Sequence, residues 1–428
     1  MIAISILLFM FVLLALGVPV GFAMGVSGAV GLYALGNWEM VLGVLQTVPL
    51  STVSSYELIT IPMFLLMAEL VLKSGIADDL FTAAAAWVGH VRGGLGMATA
   101  LAGAGFGAIC GTSTASAATL SSTSLPAMLK HGYEPKMAAG VVAISGTLAM
   151  LIPPSVVLII YGLLAEANIG KLLIAGIIPG ILVTITIAAT VYVLAVRNPK
   201  AAPVSPRVAF KEKVLLLKVI GPMVILIMMV TGVIYTGFAT PTEASALGAF
   251  GSLLIAMYRR KASPGAILDA ARQAAQGTCM IAMILLGAYI FGYFFTLTMV
   301  TQDLVRWVGS FQSSPWIIMV AILAVYLILG AFMDQLAILV LTVPIVLPLV
   351  TELGFDPIWF GVIVIVTAEV GLITPPMGLN CFVVAFYAKR PVSEVFAGIW
   401  PHVFAHFIAI GLMLAFPQLI LWLPSMMK

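Results

Sequence analysis

The chain has 428 residues, 62% of them hydrophobic and 8% charged, with a formal net charge of +3 and a mean hydropathy of +1.20. So little polar surface excludes a soluble globular domain and makes a lipid bilayer the solvent, while the small net charge, spread over short loops, speaks for membrane orientation and against nucleic-acid binding. Cys110, Cys279 and Cys381 stand far apart in apolar runs without metal-ligand spacing and read as small buried hydrophobes.

Most stretches between charge clusters exceed the roughly 20 residues that cross the hydrocarbon, which predicts about ten crossings and two re-entrant hairpins. Residues 1–16 have no basic residue ahead of their apolar run, unlike a cleavable signal, and read as a retained helix. A helix pair is expected at 2–16 and 20–36, then a less apolar stretch, 38–56, and a crossing, 58–73. An amphipathic interfacial helix follows at 76–90. Residues 93–131 are too long for one helix and read as a hairpin with Gly111-Thr112-Ser113-Thr114 at its tip. A helix broken at Leu151-Ile152-Pro153-Pro154 (137–149 and 156–166) and a crossing at 171–196 come next.

Residues 197–213 form the only strongly polar stretch and join two halves of the same order. After them come crossings at 216–236 and 241–258, an amphipathic piece at Arg259-Arg260-Lys261, and a crossing at 275–298. A hairpin spans 315–352 with its tip near Ala331 to Gln335, followed by a broken helix, 358–371 and 380–388, and a last crossing at 398–423.

The halves are copies. Pro19, Pro126, Pro135, Pro153, Pro154 and Pro179 recur 222 positions later as Pro241, Pro348, Pro357, Pro375, Pro376 and Pro401, where chance gives about 0.6 matches. The segment Lys130 to Lys136 after the first hairpin is basic, and its mate Glu352 to Pro357 is acidic. The opposite ends reverse, with a near-neutral Glu166 to Lys171 against Lys389-Arg390. The positive-inside rule then makes the copies inverted, with both termini on the non-cytoplasmic side. The expected fold is an all-α polytopic membrane protein with two inverted repeats, two re-entrant hairpins and two broken helices. The first repeat, 1–196, comprises scaffold helices 1–73, the interfacial helix 76–90, hairpin and broken helix 93–166, and the crossing 171–196. A cytoplasmic linker, 197–213, leads to the second repeat, 214–428, with scaffold helices 214–298, hairpin and broken helix 315–388, and the crossing 398–423.

Broken helices expose backbone carbonyls that suit a hard cation such as Na⁺, and helix N-termini that suit an anion. The breaks are Leu151 to Ser155 and Ile373 to Asn380, the second with side-chain oxygens at Thr374 and Asn380. One tip carries hydroxyls at Thr112, Ser113, Thr114 and Ser116, and the other a carboxylate at Asp334 that calls for a cationic partner. A lone membrane Ser or Thr more often serves close packing, but residues 112–124 hold too many for packing alone. Glu69 and Glu369 read equally as cation ligands, interhelical hydrogen-bond partners or protonated structural acids. Glu243 reads as a helix cap, and His402 and His406 as packing residues. No metalloprotease, nucleophile-elbow or paired intramembrane Asp motif points to an enzyme, and closed tips suit alternating access better than a channel.

The stretches Ile61-Pro62-Met63-Phe64, Cys110 to Ser116, Ile152-Pro153-Pro154-Ser155, Ala239 to Ala244 and Ile373 to Asn380 resemble the large membrane subunit of the tripartite ATP-independent periplasmic (TRAP) transporters, over essentially the whole chain. The resemblance implies an ion-transporter-superfamily fold of elevator type and Na⁺-coupled uptake of an organic acid, such as sialic acid or a C4-dicarboxylate, across the bacterial inner membrane. It implies two partners, a small four-helix membrane subunit, expected as a separate chain, and a periplasmic substrate-binding protein. A first Na⁺ site would use Gly111, Thr112, Ser113, Thr114, Ile152, Pro153 and Ser155. A second would use Asp334, Thr374, Pro375 and Gly378, with substrate near Ser113, Ser116, Thr374 and Asn380. A stand-alone Na⁺/dicarboxylate or citrate carrier of the same superfamily is the alternative.

Overall fold

A computed structural model describes residues 2–310 and 314–427; Met1 and Lys428, at the ends of the two copies as delimited above, and residues 311–313 of the second copy lie outside the described residues. Every regular element among the described residues is helical. Ahead of the linker come α1 (Ile2–Ala15), α2 (Val20–Leu35), α3 (Trp38–Val53), a 3-10 turn at Tyr56–Ile59, α4 (Thr60–Ser74), α5 (Ile76–Val88), α6 (Gly94–Cys110) and α7 (Ser113–Lys130). They are followed by α8 (Pro135–Thr147), a 3-10 turn at Leu148–Met150, α9 (Val156–Leu164), α10 (Ile169–Ala175) and α11 (Ile177–Arg197). After it come α12 (Phe210–Tyr235), α13 (Pro241–Tyr258), α14 (Pro264–Thr298), α15 (Val300–Ser310), α16 (Pro315–Phe332), α17 (Gln335–Glu352), α18 (Pro357–Gly371), α19 (Leu379–Ala388), α20 (Val392–Ala415) and α21 (Gln418–Ser425).

The chain is a multi-pass membrane protein. Six helices among the described residues are long and apolar enough to cross a bilayer, seven if the bent pair Trp38–Val53 and Tyr56–Ser74 counts as one span. Others, such as α1, α2, α6 and α19, are apolar but only 10–17 residues long, fewer full crossings than the hydropathy runs suggested. Local chemistry trims them. Gly17, at φ 82°, and Pro19 separate α1 from α2, and Gly111, at φ 65°, ends α6 in a left-handed turn that a side chain disfavours.

The spacing of 222 residues reappears in the structure. α7 and α17 start at Ser113 and Gln335 and end at Lys130 and Glu352, each pair 222 apart. Gly132 and Gly354 make the same left-handed turn, at φ 81° and 84°, before Pro135 and Pro357 open α8 and α18. The Pro153-Pro154 and Pro375-Pro376 peptide bonds are both cis.

The two halves interlock rather than stand side by side. α2 lies along α14 and α4 along α13, while α7 packs on α19 and α9 on α17. Glycine permits the closest approaches: a Cβ on Gly28 would meet Phe291 Cα at 2.9 Å, and one on Gly287 would run into the backbone of Gly21. Thr60 and Thr242 join α4 to α13 by a 2.8 Å hydrogen bond between their hydroxyls. α20 lies against α8, where a Cβ on Gly398 would strike the carbonyl of Lys136. The linker is packed too. The Glu134 amide donates to the Ala201 carbonyl at 2.8 Å and the Ser205 amide to that of Gly89 at 3.1 Å, and Arg259 pairs with Asp79 across the halves.

Four details differ from the sequence expectation. The stretch after Arg259-Arg260-Lys261 forms one 35-residue helix with the crossing at 275–298, because Ser263 caps it and Pro264 starts it. The amphipathic α15 follows it. A turn at Gly176 separates α10 from α11 within Ile169–Arg197, which is still long and apolar enough to cross as one span, and the last crossing breaks at Phe416-Pro417. Thr240 and Glu243 form a capping box, as expected: the Glu243 amide donates to Thr240 Oγ1 at 3.3 Å and the Thr240 amide to Glu243 Oε2 at 2.8 Å.

Gly398→Ala should lower the unfolding free energy by about 1–3 kcal/mol through overpacking. Gly232→Ala, where a Cβ meets nothing within 4 Å, should not lower it. Thermal unfolding of the purified protein in detergent compares the two.

Candidate functional site

Each hairpin tip covers the break of its own half. At the first, a Cβ on Gly111 would lie 3.0 Å from Val156 Cγ2, 3.2 Å from the Val156 amide nitrogen and 3.6 Å from the Pro154 carbonyl oxygen. The tip is therefore seated on the end of the broken helix. At the second, the Met377 amide donates to the Ala331 carbonyl at 3.2 Å, and a Cβ on Gly330 would meet Gly371 Cα at 2.9 Å.

The two assemblies differ in cover. Gly111, Ser113, Pro153, Pro154 and Ser155 are buried, Thr112 and Ile152 half-buried, and Thr114 exposed. In the second, Pro375, Pro376, Met377 and Asp334 are exposed, Thr374 is half-buried, and Gly378 and Asn380 are buried. A cleft of about 320 Å³ reaches Thr374, Pro375 and Pro376 between α16 and α20, lined otherwise by Ala331, Phe332, Trp400 and other apolar residues.

Several expected ligands already have local duties. Ser155 Oγ donates to the Met150 carbonyl and accepts from the Leu158 amide at 3.3 Å, so it caps α9. Asp334 caps α17, its carboxylate accepting from the Leu336 amide at 3.1 Å. Thr374 Oγ1 donates to the Gly371 carbonyl at 3.0 Å. Each of these oxygens keeps lone pairs for a further partner.

Other buried groups lack any partner within the protein. Ser113 Oγ, Ser116 Oγ, Ser145 Oγ and both amide atoms of Asn380 form no hydrogen bond, although these residues are no more than 1% exposed. They lie on α7, α8 and α19, which pack on one another. A Cβ on Gly146 would meet Ala117 Cβ at 2.8 Å and the Ala117 amide nitrogen at 3.0 Å, so Ser145-Gly146 lies against Ser116-Ala117. Unsatisfied polar atoms at such depth are costly unless something else completes them. The arrangement thus offers hydroxyl donors and acceptors and an amide to a small polar ligand. No Lys or Arg lies in either tip or break.

Sequence reasoning passed over Gln335 and Ser145. Gln335 is fully buried, its Nε2 donates to the Ile365 carbonyl at 3.2 Å, and its Oε1 is unpartnered. The repeat held the signal, since Gln335 stands 222 positions after Ser113. Ser145 looks like an ordinary small residue of a packed helix, and nothing local marks it. Of the two acids left open, Glu69 is half-buried on α4, one turn from Lys73, whereas Glu369 is fully buried with both oxygens unpartnered. His402 and His406 are fully buried on α20, and among the described residues no three His, Cys, Asp or Glu side chains group as metal ligands.

Comparison with known proteins agrees with this architecture. Residues 7–419 match the model of the family described as "Tripartite ATP-independent periplasmic transporter, DctM component". The chain is 35% identical to the C4-dicarboxylate TRAP transporter large permease protein DctM of Pseudomonas aeruginosa, over 87% of each chain. It is 31% identical to the sialic acid TRAP transporter large permease protein SiaM of Vibrio cholerae, over 97% of this chain and 96% of that one. The crystal structure of the YdaH transporter of Alcanivorax borkumensis superposes with a TM-score of 0.67 over 98% of this chain and 99% of that one, at 14% identity, which shows a shared fold.

Gly111→Leu should lift the first tip from Val156 and expose the neighbouring Cys110, which is otherwise buried. In a Cys279→Ser, Cys381→Ala background, maleimide labelling of Cys110 should rise several-fold over the same background with Gly111 retained.

Proposed function

This chain belongs to the DctM component family of the tripartite ATP-independent periplasmic transporters, and from that premise we propose that it is the Na⁺-coupled, elevator-type membrane subunit of a three-component importer of an organic acid. Secondary transport of organic acids follows from the family. The Na⁺ coupling, the sliding transport domain and the particular acid belong to the proposal. So do an inner-membrane location with both termini periplasmic, and a small four-helix subunit and periplasmic binding protein as partners.

The observation that carries the reading is the pairing of each tip with a break, next to buried hydroxyls and an amide that no protein group satisfies. Such a site suits a polar solute and a hard monovalent cation. The donor sets fit that cation, because backbone carbonyls at Gly111 to Thr114, Ile152 and Pro153, with Ser155 Oγ, are all hard oxygens. The second set is Asp334, Thr374 and the backbone at Pro375 and Gly378. Na⁺, when bound, supplies the positive charge that an anionic substrate cannot find in the tips and breaks, which hold no Lys or Arg.

The protein's own groups then hold and orient the acid. Ser113 and Ser116 present hydroxyls from α7, and Asn380 presents its amide from the first turn of α19. The N-termini of α7 and α19, helices that pack on one another, carry partial positive charge that favours an anion. A tip seated on a break keeps water from unpaired backbone, so tip and break should move as one body. The glycine-lined contacts of α4 with α13 and α2 with α14 form the frame past which that body slides. A C4-dicarboxylate or a sialic acid, the substrates named for relatives, would be small enough to be carried this way.

Uptake should be measured in proteoliposomes holding this chain, the small subunit and the binding protein, with a panel of C4-dicarboxylates and sialic acids. Uptake should require both Na⁺ and the binding protein, and Asp334→Ala should abolish it. Uptake that survives omission of the binding protein would instead favour a stand-alone carrier. Undiminished transport by Asp334→Ala with normal Na⁺ dependence would remove Asp334 from the site.

A further inference from the structure

The buried acid Glu369 sits outside the sites described above. Its helix, α18, packs against α9, α10, α16, α17, α20 and α21, and its carboxylate is fully buried with no partner on either oxygen. Gln335, on the first turn of α17, reaches the same turn of α18: its Nε2 donates to the carbonyl of Ile365, the residue one helical turn before Glu369. The amide's other end, Oε1, is buried without a donor. Two side chains of adjacent elements thus bring three acceptor oxygens without a hydrogen-bond partner to neighbouring turns of α18, while the Gln335 amide donates to the Ile365 carbonyl.

No charged neighbour answers them. Lys171 on α10 and Glu352 on α17 are exposed, and the exposed Asp334 caps its own helix. Tyr161 on α9 donates to the Pro357 carbonyl at the far end of α18, and Tyr326 on α16 is hydrogen-bonded to Thr342 on α17. Glu394 on α20 lies 3.9 Å from Arg390, and Asp356 caps the start of α18. His402 and His406 on α20 are buried with all four ring nitrogens unpartnered; α21 carries no titratable residue. An isolated ionised carboxylate in such surroundings is far more costly than a neutral acid. A hard metal cation would seek about six oxygens and find three. A proton needs one acceptor, and Gln335 Oε1 is unused.

We infer that Glu369 is a proton-binding site in the packed state of the second tip, a neutral carboxylic acid that donates its hydrogen bond to Gln335 Oε1. While Gln335 stays against Ile365, the acid crosses the bilayer uncharged. When α17 draws away from α18, water reaches the pair, the O–H bond of the carboxyl breaks, and its proton passes to water on that side, leaving the carboxylate. Opening of the second tip is thereby linked to proton release. This is independent of the Na⁺ coupling but rests on the proposed sliding transport domain, whereas the carboxyl band below reads the protonated acid itself.

The test is infrared spectroscopy of the transporter, this chain with its small subunit in nanodiscs, at neutral pH with exchange between H₂O and D₂O. Wild type should show a protonated-carboxyl C=O band that is lost in Glu369→Gln and kept in Asp334→Asn. Gln335→Leu, which removes the acceptor, should move the band to higher wavenumber. A band that persists in Glu369→Gln, or disappears in Asp334→Asn, overturns the assignment, and one unmoved in Gln335→Leu overturns the pairing. Should Glu369→Gln fail to fold, Glu369→Asp keeps the acid one methylene shorter and should shift the band. An unshifted band there also overturns the proposal.

Discussion

Backbone left unpaired inside a bilayer has to be covered by protein, and everything else in this molecule is arranged around four places where that problem arises. Two helices are interrupted at Pro-Pro pairs, and two helical hairpins turn between α6 and α7 and between α16 and α17. Left to lipid, each end would cost several kcal/mol per unsatisfied group. Seating each tip on a break lets the ends cover one another, through the left-handed Gly111 against Val156 and through the Met377 amide on the Ala331 carbonyl. Because that cover is made of contacts between segments, it can be opened, which a continuous helix does not allow.

The crossed packing of the halves follows from the same requirement. α7 leaves the first tip and lies on α19 of the second half, while α17 leaves the second tip and lies on α9 of the first. Each tip therefore touches its own break and leads into the other half's, so the buried polar side chains gather between helices from both halves. Elsewhere the halves meet through small residues, as at Gly21 with Gly287 and Gly140 with Gly398, where backbones touch. Close van der Waals contact is the main source of attraction between helices in lipid, and it leaves such surfaces flat.

Much of this was legible in the sequence because prolines and glycines act through the backbone. The recurrence of Pro135, Pro153 and Pro154 at 222 residues located the breaks, and the expected second hairpin, 315–352, coincides with the span from the start of α16 to the end of α17. Where structure depends on what lies alongside, the sequence was less informative. The amphipathic stretch after Lys261 continues into α14 because Ser263 and Pro264 start a helix there, and hydropathy alone does not separate that from a loop. Gln335 was hidden because its importance lies in a carbonyl thirty residues away in the chain. Ser155 and Asp334 were singled out for their oxygens, and the structure adds that both cap helices, so each ties local geometry to whatever its free lone pairs hold.

The account stands on the claim that the two tip-and-break assemblies hold the coupling cation. Electron cryo-microscopy of the chain with its small subunit, prepared in parallel in Na⁺ and in a salt of a large organic cation, addresses it most directly. The account predicts density in Na⁺ alone, surrounded by oxygens of Gly111 to Thr114 with Ile152 to Ser155, and by those of Asp334 with Thr374 to Gly378. Maps in which both assemblies look the same in the two salts, with no added density at either, would contradict it.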